Sequence, residues 1–265
     1  MIQANVQVLW NNQVGPCHYK IGMNCPREFA SAIPGQFIML RIADQMDPLL
    51  RRPFSIHKLI LKHGQLEGVE LIYKVIGVGT DMLSELIPGD RVNVLGPLGN
   101  GFMIPGHAQR ILIVVGGMGV APMPFLISHL IDKGLDLSNC KVFLGAKSKD
   151  ELLCRQAFVN LGVSVHTSTD DGSLGEQCLV TDPLEIEITQ SMPDIIYACG
   201  PMEMLACVIG IAEKHHISCQ VSIETMMACG VGACLGCAVE SRNQPQKYFH
   251  ACWDGPVFDA RLLRI

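Results

Sequence analysis

Charged side chains are scarce in this 265-residue chain: Asp, Glu, Lys and Arg make up 17% of it, against 49% hydrophobic residues. A surface so short of charge is partly apolar or covered by another protein, so the chain is expected to be an obligate subunit. Basic residues are not in excess either. A formal net charge of -5 and a pI near 6.0 leave no electrostatic footprint for nucleic acid or an anionic membrane, and neither partner is expected. The opening MIQANVQVLWNN has no basic n-region and no apolar h-region, so it does not read as a signal peptide. An uncharged run near bilayer length, 111–130, contains Gly116, Gly117, Gly119, Pro122 and Pro124. It reads as a buried strand, a turn and a helix start rather than a membrane span. Internal repeats, low-complexity tracts and charge runs are absent. The length is large for one hydrophobic core and suits two domains with a small appendage.

Cysteine is not scarce, but framework spacing is. Of twelve cysteines, Cys17, Cys25, Cys140, Cys154, Cys178, Cys199, Cys207 and Cys219 are scattered, which argues against a secreted disulfide scaffold. Most are expected to be buried thiols in a reducing cytoplasm. The other four stand in MACGVGACLGCAVESRNQPQKYFHAC, where Cys229, Cys234 and Cys237 form C-x4-C-x2-C and Cys252 follows. That is a plant-type [2Fe-2S] spacing, with four thiolates for two irons. Gly230, Gly232 and Gly236 let the loop wrap closely and turn amides toward sulfur. Four cysteines also hold zinc, but zinc sites usually bring two C-x2-C pairs and this run has one.

From Gln3 to about Phe102 the pattern is strand-like. ANVQVLW alternates, QFIMLRI and VELIYKVI are β-rich, and turn signals punctuate them without a helix of more than two turns. A small antiparallel barrel is expected. From Gln109 strands and helices alternate as apolar runs, the signature of a doubly wound parallel sheet covered on both faces. Gly116-Gly117-Met118-Gly119 lies between the first strand and a helix, where backbone amides cradle a diphosphate, although it is not G-x-G-x-x-G. Boundaries are read at 1–103 for the barrel, 104–222 for the α/β domain and 223–265 for the cluster module. Asp170-Asp171 reads as a turn and His215-His216 as the polar end of a helix.

In order, the chain carries RPFS (52–55), KVIGVGT (74–80), GPLGNGF (96–102), VVGGMGVAPM (114–123), DDGSLG (170–175) and ACGPMEM (198–204). This series resembles the ferredoxin-NADP reductase superfamily. With the cysteine loop and the closing DGPVF (254–258), the whole chain is similar to the electron-transfer subunits of class 1B dihydroorotate dehydrogenases. The resemblance implies FAD held by the barrel, NAD by the α/β domain and a [2Fe-2S] cluster on Cys229, Cys234, Cys237 and Cys252. Arg52 would pair with the FAD diphosphate. Ser55 would bond the flavin edge, and Pro53 and Phe54 would shape the wall beside it. Lys74, Gly77, Gly79 and Thr80 would lie against the same cofactor. Gly116, Gly117 and Gly119 would face the nicotinamide nucleotide, with Gly200, Pro201 and the assigned catalytic residue Cys199 at the nicotinamide. Without the resemblance, Pro53 is an edge-strand residue, Arg52 a solvated charge and Cys199 a buried thiol.

A nicotinamide gives a hydride and a cluster takes one electron, so a flavin between them is required. The implied partner is an FMN-bearing catalytic subunit that oxidises dihydroorotate, in a heterotetramer serving pyrimidine biosynthesis. Alternative readings are the diaphorase subunit of a hydrogenase or of a ferredoxin:NADP oxidoreductase complex, and a redox sensor that leaves the nucleotide domain idle.

Overall fold

The computed structural model describes residues 1–42, 47–106 and 108–265. Seven antiparallel strands form the first unit: β1 (Ile2–Gly15), β2 (His18–Asn24), β3 (Phe37–Arg41), β4 (Arg52–Ser55), β5 (Lys58–Lys62), β6 (Gln65–Lys74) and, after the two-turn helix α1 (Val78–Ser84), β7 (Arg91–Leu98). Their order is β4-β3-β7-β1-β2-β6-β5. The sheet curls until its two edge strands are consecutive in sequence. There Ile56 N–H donates to the Gln36 carbonyl and His57 N–H to that of Glu70, so the half-barrel closes through the chain itself. β7 alternates buried and open positions along its length, as a strand with one face on a core must. Pro53 lies on edge strand β4, where its missing N–H costs no ladder bond.

The second unit follows as β8 (Ile111–Gly116), α2 (Met123–Asp132), β9 (Cys140–Ala146), α3 (Arg155–Asn160), β10 (Ser164–Thr169), α4 (Thr181–Gln190), β11 (Ile195–Cys199), α5 (Met202–Lys214) and β12 (Ser218–Ser222). The order β10-β9-β8-β11-β12 is parallel throughout. β8 is buried at all six positions, because helices cover both faces. On α5, Leu205, Val208, Ile209, Ile211 and Ala212 form the buried stripe, at the spacing one helix face requires.

The last segment carries a hairpin, β13 (Ala238–Glu240) with β14 (Tyr248–His250), and then β15 (Val257–Asp259). β15 returns to the parallel sheet and pairs antiparallel with β12, so the sheet's edge is supplied from within the segment read as the cluster module. The units also share their cores: Ile72 of the barrel packs in the α/β core, and Phe125 of α2 packs in the barrel core. Asp170 and Asp171 lie in a turn, and α5 ends just before His215.

The expectation that most of the eight scattered cysteines are buried is corrected. Cys140, Cys199 and Cys219 are buried, Cys25, Cys154 and Cys178 half-buried, and Cys17 and Cys207 exposed. Cys17 sits at the β1–β2 turn with φ 57°, and Cys207 falls outside the buried stripe of α5.

Candidate flavin, nucleotide and iron-sulfur sites

A cavity of about 330 Å³ opens where the three parts of the chain meet. The barrel contributes Phe37, Arg52, Pro53, Phe54, Ser55, Tyr73, Lys74, Ile76 and Thr80. The α/β unit adds Met118, Ala121, Cys199 and Ser222, and the chain beyond β12 adds Ile223, Glu224, Thr225, Met227 and Pro256. Sequence reasoning named Arg52, Pro53, Phe54, Ser55, Lys74, Thr80 and Cys199, and these come together here. Phe54 meets Tyr73 edge-on at 6.0 Å, and Tyr73 donates its hydroxyl to Asn11 Oδ1 at 3.0 Å, which fixes both rings in one wall. Arg52 Nη1 donates to the Leu50 carbonyl at 2.7 Å, so the guanidinium is oriented by its own loop. Thr80 Oγ1 accepts from the amides of Ile76 and Gly77 and fixes the entry to α1.

Gly77 and Gly79 are not walls of the cavity. A Cβ on Gly77 would meet nothing within 4 Å, and one on Gly79 would sit 3.6 Å from Arg52 Nε. Packing within the protein therefore demands glycine at neither position. The case differs at the parallel sheet. The strand order reverses between β8 and β11, and ligands of open α/β sheets lie in the crevice beyond the strand ends there. Gly116 ends β8 and Gly119 follows it, and Gly200 and Pro201 follow β11. A Cβ on Gly119 would overlap the Cys199 carbonyl, and one on Gly116 would press Met204 and Pro201. These glycines let two loops touch. Gly117, with φ +52°, has open space beside it and is the one facing outward, as approach of a diphosphate needs.

Cys199 is 2% exposed. Burial pushes its thiol up to about 12, the charge of Glu224 adds to this, and a hydrogen bond with Ser222 opposes it. It stays a neutral thiol and lines the site by shape. Glu224 is open to the cavity yet crowded by protein atoms, and that burial holds its carboxyl above the ordinary range. The sequence reading missed it, although it is the only acid in VSIETMMACG. Thr225 was missed as well; its Oγ1 is shut from solvent and has no hydrogen-bond partner among the described residues, at the cavity wall. An aromatic and apolar cleft with one oriented guanidinium and a few polar edges fits a flavin nucleotide.

The four motif cysteines gather at the loop after β12. Val231 and Cys234 donate their amides to Cys229 Sγ at 3.4 Å, Gly232 to Cys252 Sγ at 3.1 Å and Cys252 to Cys237 Sγ at 3.5 Å. Cys237 Sγ lies 3.3 Å from Cys252 Sγ. Burial raises the Cys229 thiol, but the amides of Val231, Cys234 and Ala233 outweigh it and bring it to about 6. Cys252, with burial first and Cys237 next, is pushed up to about 12. Among the described residues no three His, Cys, Asp or Glu side chains are grouped as one metal ion requires. The fit of the thiols to an iron-sulfur cluster rests on four sulfur donors and on amides already turned to sulfur. Gly230, at φ +74°, lies against Met39 and Leu98, which docks the loop on the barrel. Cys237 and Cys252 are buried while Cys234 is exposed.

Comparison with known proteins agrees with this geometry. Residues 224–264 match the iron-sulfur cluster binding domain of dihydroorotate dehydrogenase B, and residues 113–210 match the oxidoreductase NAD-binding domain. A dihydroorotate dehydrogenase B (NAD(+)) electron transfer subunit from Desulforamulus reducens is 37% identical over 96% of this chain and 95% of its own. One from Listeria monocytogenes is 37% identical over the full length of both. Among solved structures, an NADH-dependent reduced ferredoxin-NADP oxidoreductase aligns with a TM-score of 0.84 at 26% identity, over 98% of this chain and 90% of the other. A ferredoxin NADP+ reductase from Neisseria gonorrhoeae with bound FAD and NADP aligns at 0.67 and 14% identity, over 80% and 91% of the two chains, which speaks for the fold alone. The half-barrel and parallel-sheet unit thus form a ferredoxin-NADP reductase-like fold, and the chain belongs to the family of dihydroorotate dehydrogenase B electron transfer subunits.

Proposed function

We propose that this chain carries electrons between NAD(H), FAD and a [2Fe-2S] cluster, and exchanges them with the FMN of a dihydroorotate dehydrogenase catalytic subunit in a cytoplasmic heteromer. Three units divide the work: 1–103 for FAD, 104–222 for NAD and 223–265 for the cluster. The observation that carries this is one apolar cluster. Phe37 and Met227, walls of the cavity, pack in the same core as Cys237 and Cys252, so the flavin cavity and two cluster ligands share a dry partition.

When bound, FAD supplies the exchange between a hydride donor and a one-electron carrier, and the cluster supplies single-electron passage. Arg52 would hold the diphosphate, and Pro53, Phe54, Ser55 and Tyr73 would fix the ring system and exclude water. Lys74 and Thr80 would lie along the same cofactor, with Gly77 and Gly79 beside them. At the loops beyond β8 and β11, Gly117 would admit the nicotinamide nucleotide, Gly116, Gly119, Gly200 and Pro201 would hold the two loops close enough to receive it, and the neutral Cys199 thiol would set its depth. Cys229, Cys234, Cys237 and Cys252 would hold the irons, and the exposed Cys234 corner with Leu235 and Trp253, 58% and 65% exposed, would face the catalytic subunit. No helix among the described residues is long and apolar enough to cross a membrane.

The test is anaerobic NADH titration of the purified chain, followed by flavin absorbance and cluster paramagnetic resonance. Both should be reduced in wild type. Cys234→Ser should lose the cluster and keep the NADH-driven bleaching of the flavin. Stoichiometric zinc in place of iron would overturn the cluster assignment. A second reading, the diaphorase subunit of a ferredoxin:NADP oxidoreductase assembly, draws on the structural match of 0.84 over 98% of the chain. Identifying the protein that co-purifies with the chain separates the two.

A further inference from the structure

The charged residues on the cavity wall are Arg52, Lys74 and Glu224. Lys74 differs from the others in being held from across the seam between units: its Nζ lies 2.6 Å from Glu151 Oε1, with the side chains 35% and 29% exposed. Glu151 belongs to the single turn Lys149–Glu151 that follows β9. The hydrogen bond from Lys74 holds the Glu151 carboxyl below its ordinary range against the opposing effect of burial, with His18 and Lys147 adding smaller effects. The Glu151 carboxyl is therefore ionised at neutral pH. His18, packed beside it, is 3% exposed, and burial and then Lys74 lower its pKa, so it brings no charge of its own.

A pair this open to water contributes little to folding, which leaves its electrostatic reach as the consequence to weigh. Reduction of an isoalloxazine by two electrons with uptake of one proton adds one negative charge. A lone ammonium on the cavity wall would favour that charge and raise the flavin's potential. An ammonium with a carboxylate at 2.6 Å acts at a distance as a dipole, whose field dies away faster than that of a single charge.

We propose that Glu151 is a positioning residue of the flavin site: it holds the Lys74 ammonium at the cavity wall, offsets its charge, and thereby sets the flavin's reduction potential. This rests on the FAD reading of the cavity above. It makes the turn after β9, in the nucleotide unit, a determinant of a potential belonging to the barrel's cofactor.

The experiment is spectroelectrochemical titration of the full FAD-loaded chain as wild type, Lys74→Met, Glu151→Gln and the double variant. Flavin content after desalting is the independent readout. Glu151→Gln should move the flavin midpoint to more positive potential and Lys74→Met to more negative. The double variant should return close to wild type, because both charges are gone. If Lys74→Met loses its flavin, Lys74→Gln carries the same expected sign. A role confined to structure would move both single variants the same way, or neither, and either pattern overturns the proposal. A wild-type chain that takes up no FAD overturns the reading of the cavity itself, whereas FAD-loaded variants with unchanged midpoints overturn only the role of Glu151.

Discussion

His57, on the link between β4 and β5, donates its Nδ1 proton to the carbonyl of Ala121 at 2.6 Å, so the loop that enters α2, whose Ala121 lines the cavity, is hydrogen-bonded to the link between the barrel's edge strands. A carbonyl only accepts, which fixes the tautomer. Burial, with the charge of Lys20 next, lowers the His57 pKa to about 4, and the Ala121 bond opposes the shift without cancelling it. Between about 6.5 and 4 the unfolded chain binds a proton that the native chain does not. Stability therefore falls as pH drops through that window, by on the order of 3 kcal/mol for the whole step. His57→Gln keeps a donor and removes the titration. Denaturant unfolding at pH 7.5, 6 and 5 should show a flatter acid limb for the variant, and parallel limbs would count against a neutral His57 at the seam.

Arg52 is half-buried and tied to the Leu50 carbonyl. Its replacement by Ala should cost FAD affinity about 2 to 3 kcal/mol, the worth of a charge-assisted bond to phosphate. Lysine places a charge but not a planar fork and should restore part of the loss. Fluorescence titration of apoprotein with FAD reads this directly, and an Arg52→Ala chain with wild-type affinity would remove Arg52 from the site.

What could be read in the sequence had a local cause. β8 is an unbroken apolar run because helices cover both its faces, the start of β1 alternates because one face is wet, and three of the cluster cysteines announce themselves within one loop. Contacts between distant positions left no such trace. β15 is three residues long, too short for a period, and joins the sheet because the end of the chain runs beside β12. Lys74 and Glu151 stand 77 positions apart, and neither neighbourhood hints at the other. The glycines at the end of β8 were read together, but a Cβ on Gly116 or Gly119 would meet protein whereas Gly117 has open space beside it. A glycine motif alone cannot say which neighbour forbids the side chain.

Gly119 therefore carries a prediction of its own. A Cβ there would overlap the backbone carbonyl of Cys199, and no side chain can rotate away to relieve it. Gly119→Ala should destabilise the chain by about 1 to 3 kcal/mol and push apart the loops after β8 and β11. Thermal unfolding should show the loss, and reduction of bound FAD by NADH should slow even below the melting temperature. A variant with wild-type values in both would mean that the two loops do not touch.

The final expectation concerns which nucleotide is used. In Lys147-Ser148-Lys149-Asp150-Glu151 two lysines and two acids balance on paper, but Glu151 is engaged by Lys74 and leaves the lysines a local surplus. The next turn offsets it. Asp171 Oδ1 accepts from both the amide and the hydroxyl of Ser173, at 2.9 and 2.6 Å, bonds that hold its carboxyl below the ordinary range, the hydroxyl contributing most. Ser173 Oγ in turn receives the Lys149 amide at 2.8 Å, and the Asp171 amide donates to the Lys147 carbonyl. The turns after β9 and β10 are thus stitched together with a fixed carboxylate beside the lysines, at the sheet edge where an adenosine ribose lies in such folds. A carboxylate accepts from ribose hydroxyls and repels a 2′-phosphate. NADH should reduce the bound FAD at least about tenfold faster than NADPH at limiting concentration, a difference of roughly 1.4 kcal/mol. Asp171→Asn should narrow that ratio from the NADPH side. Stopped-flow reduction with each nucleotide measures both, and a wild-type preference for NADPH would instead make the lysine pair the reader of the 2′ position.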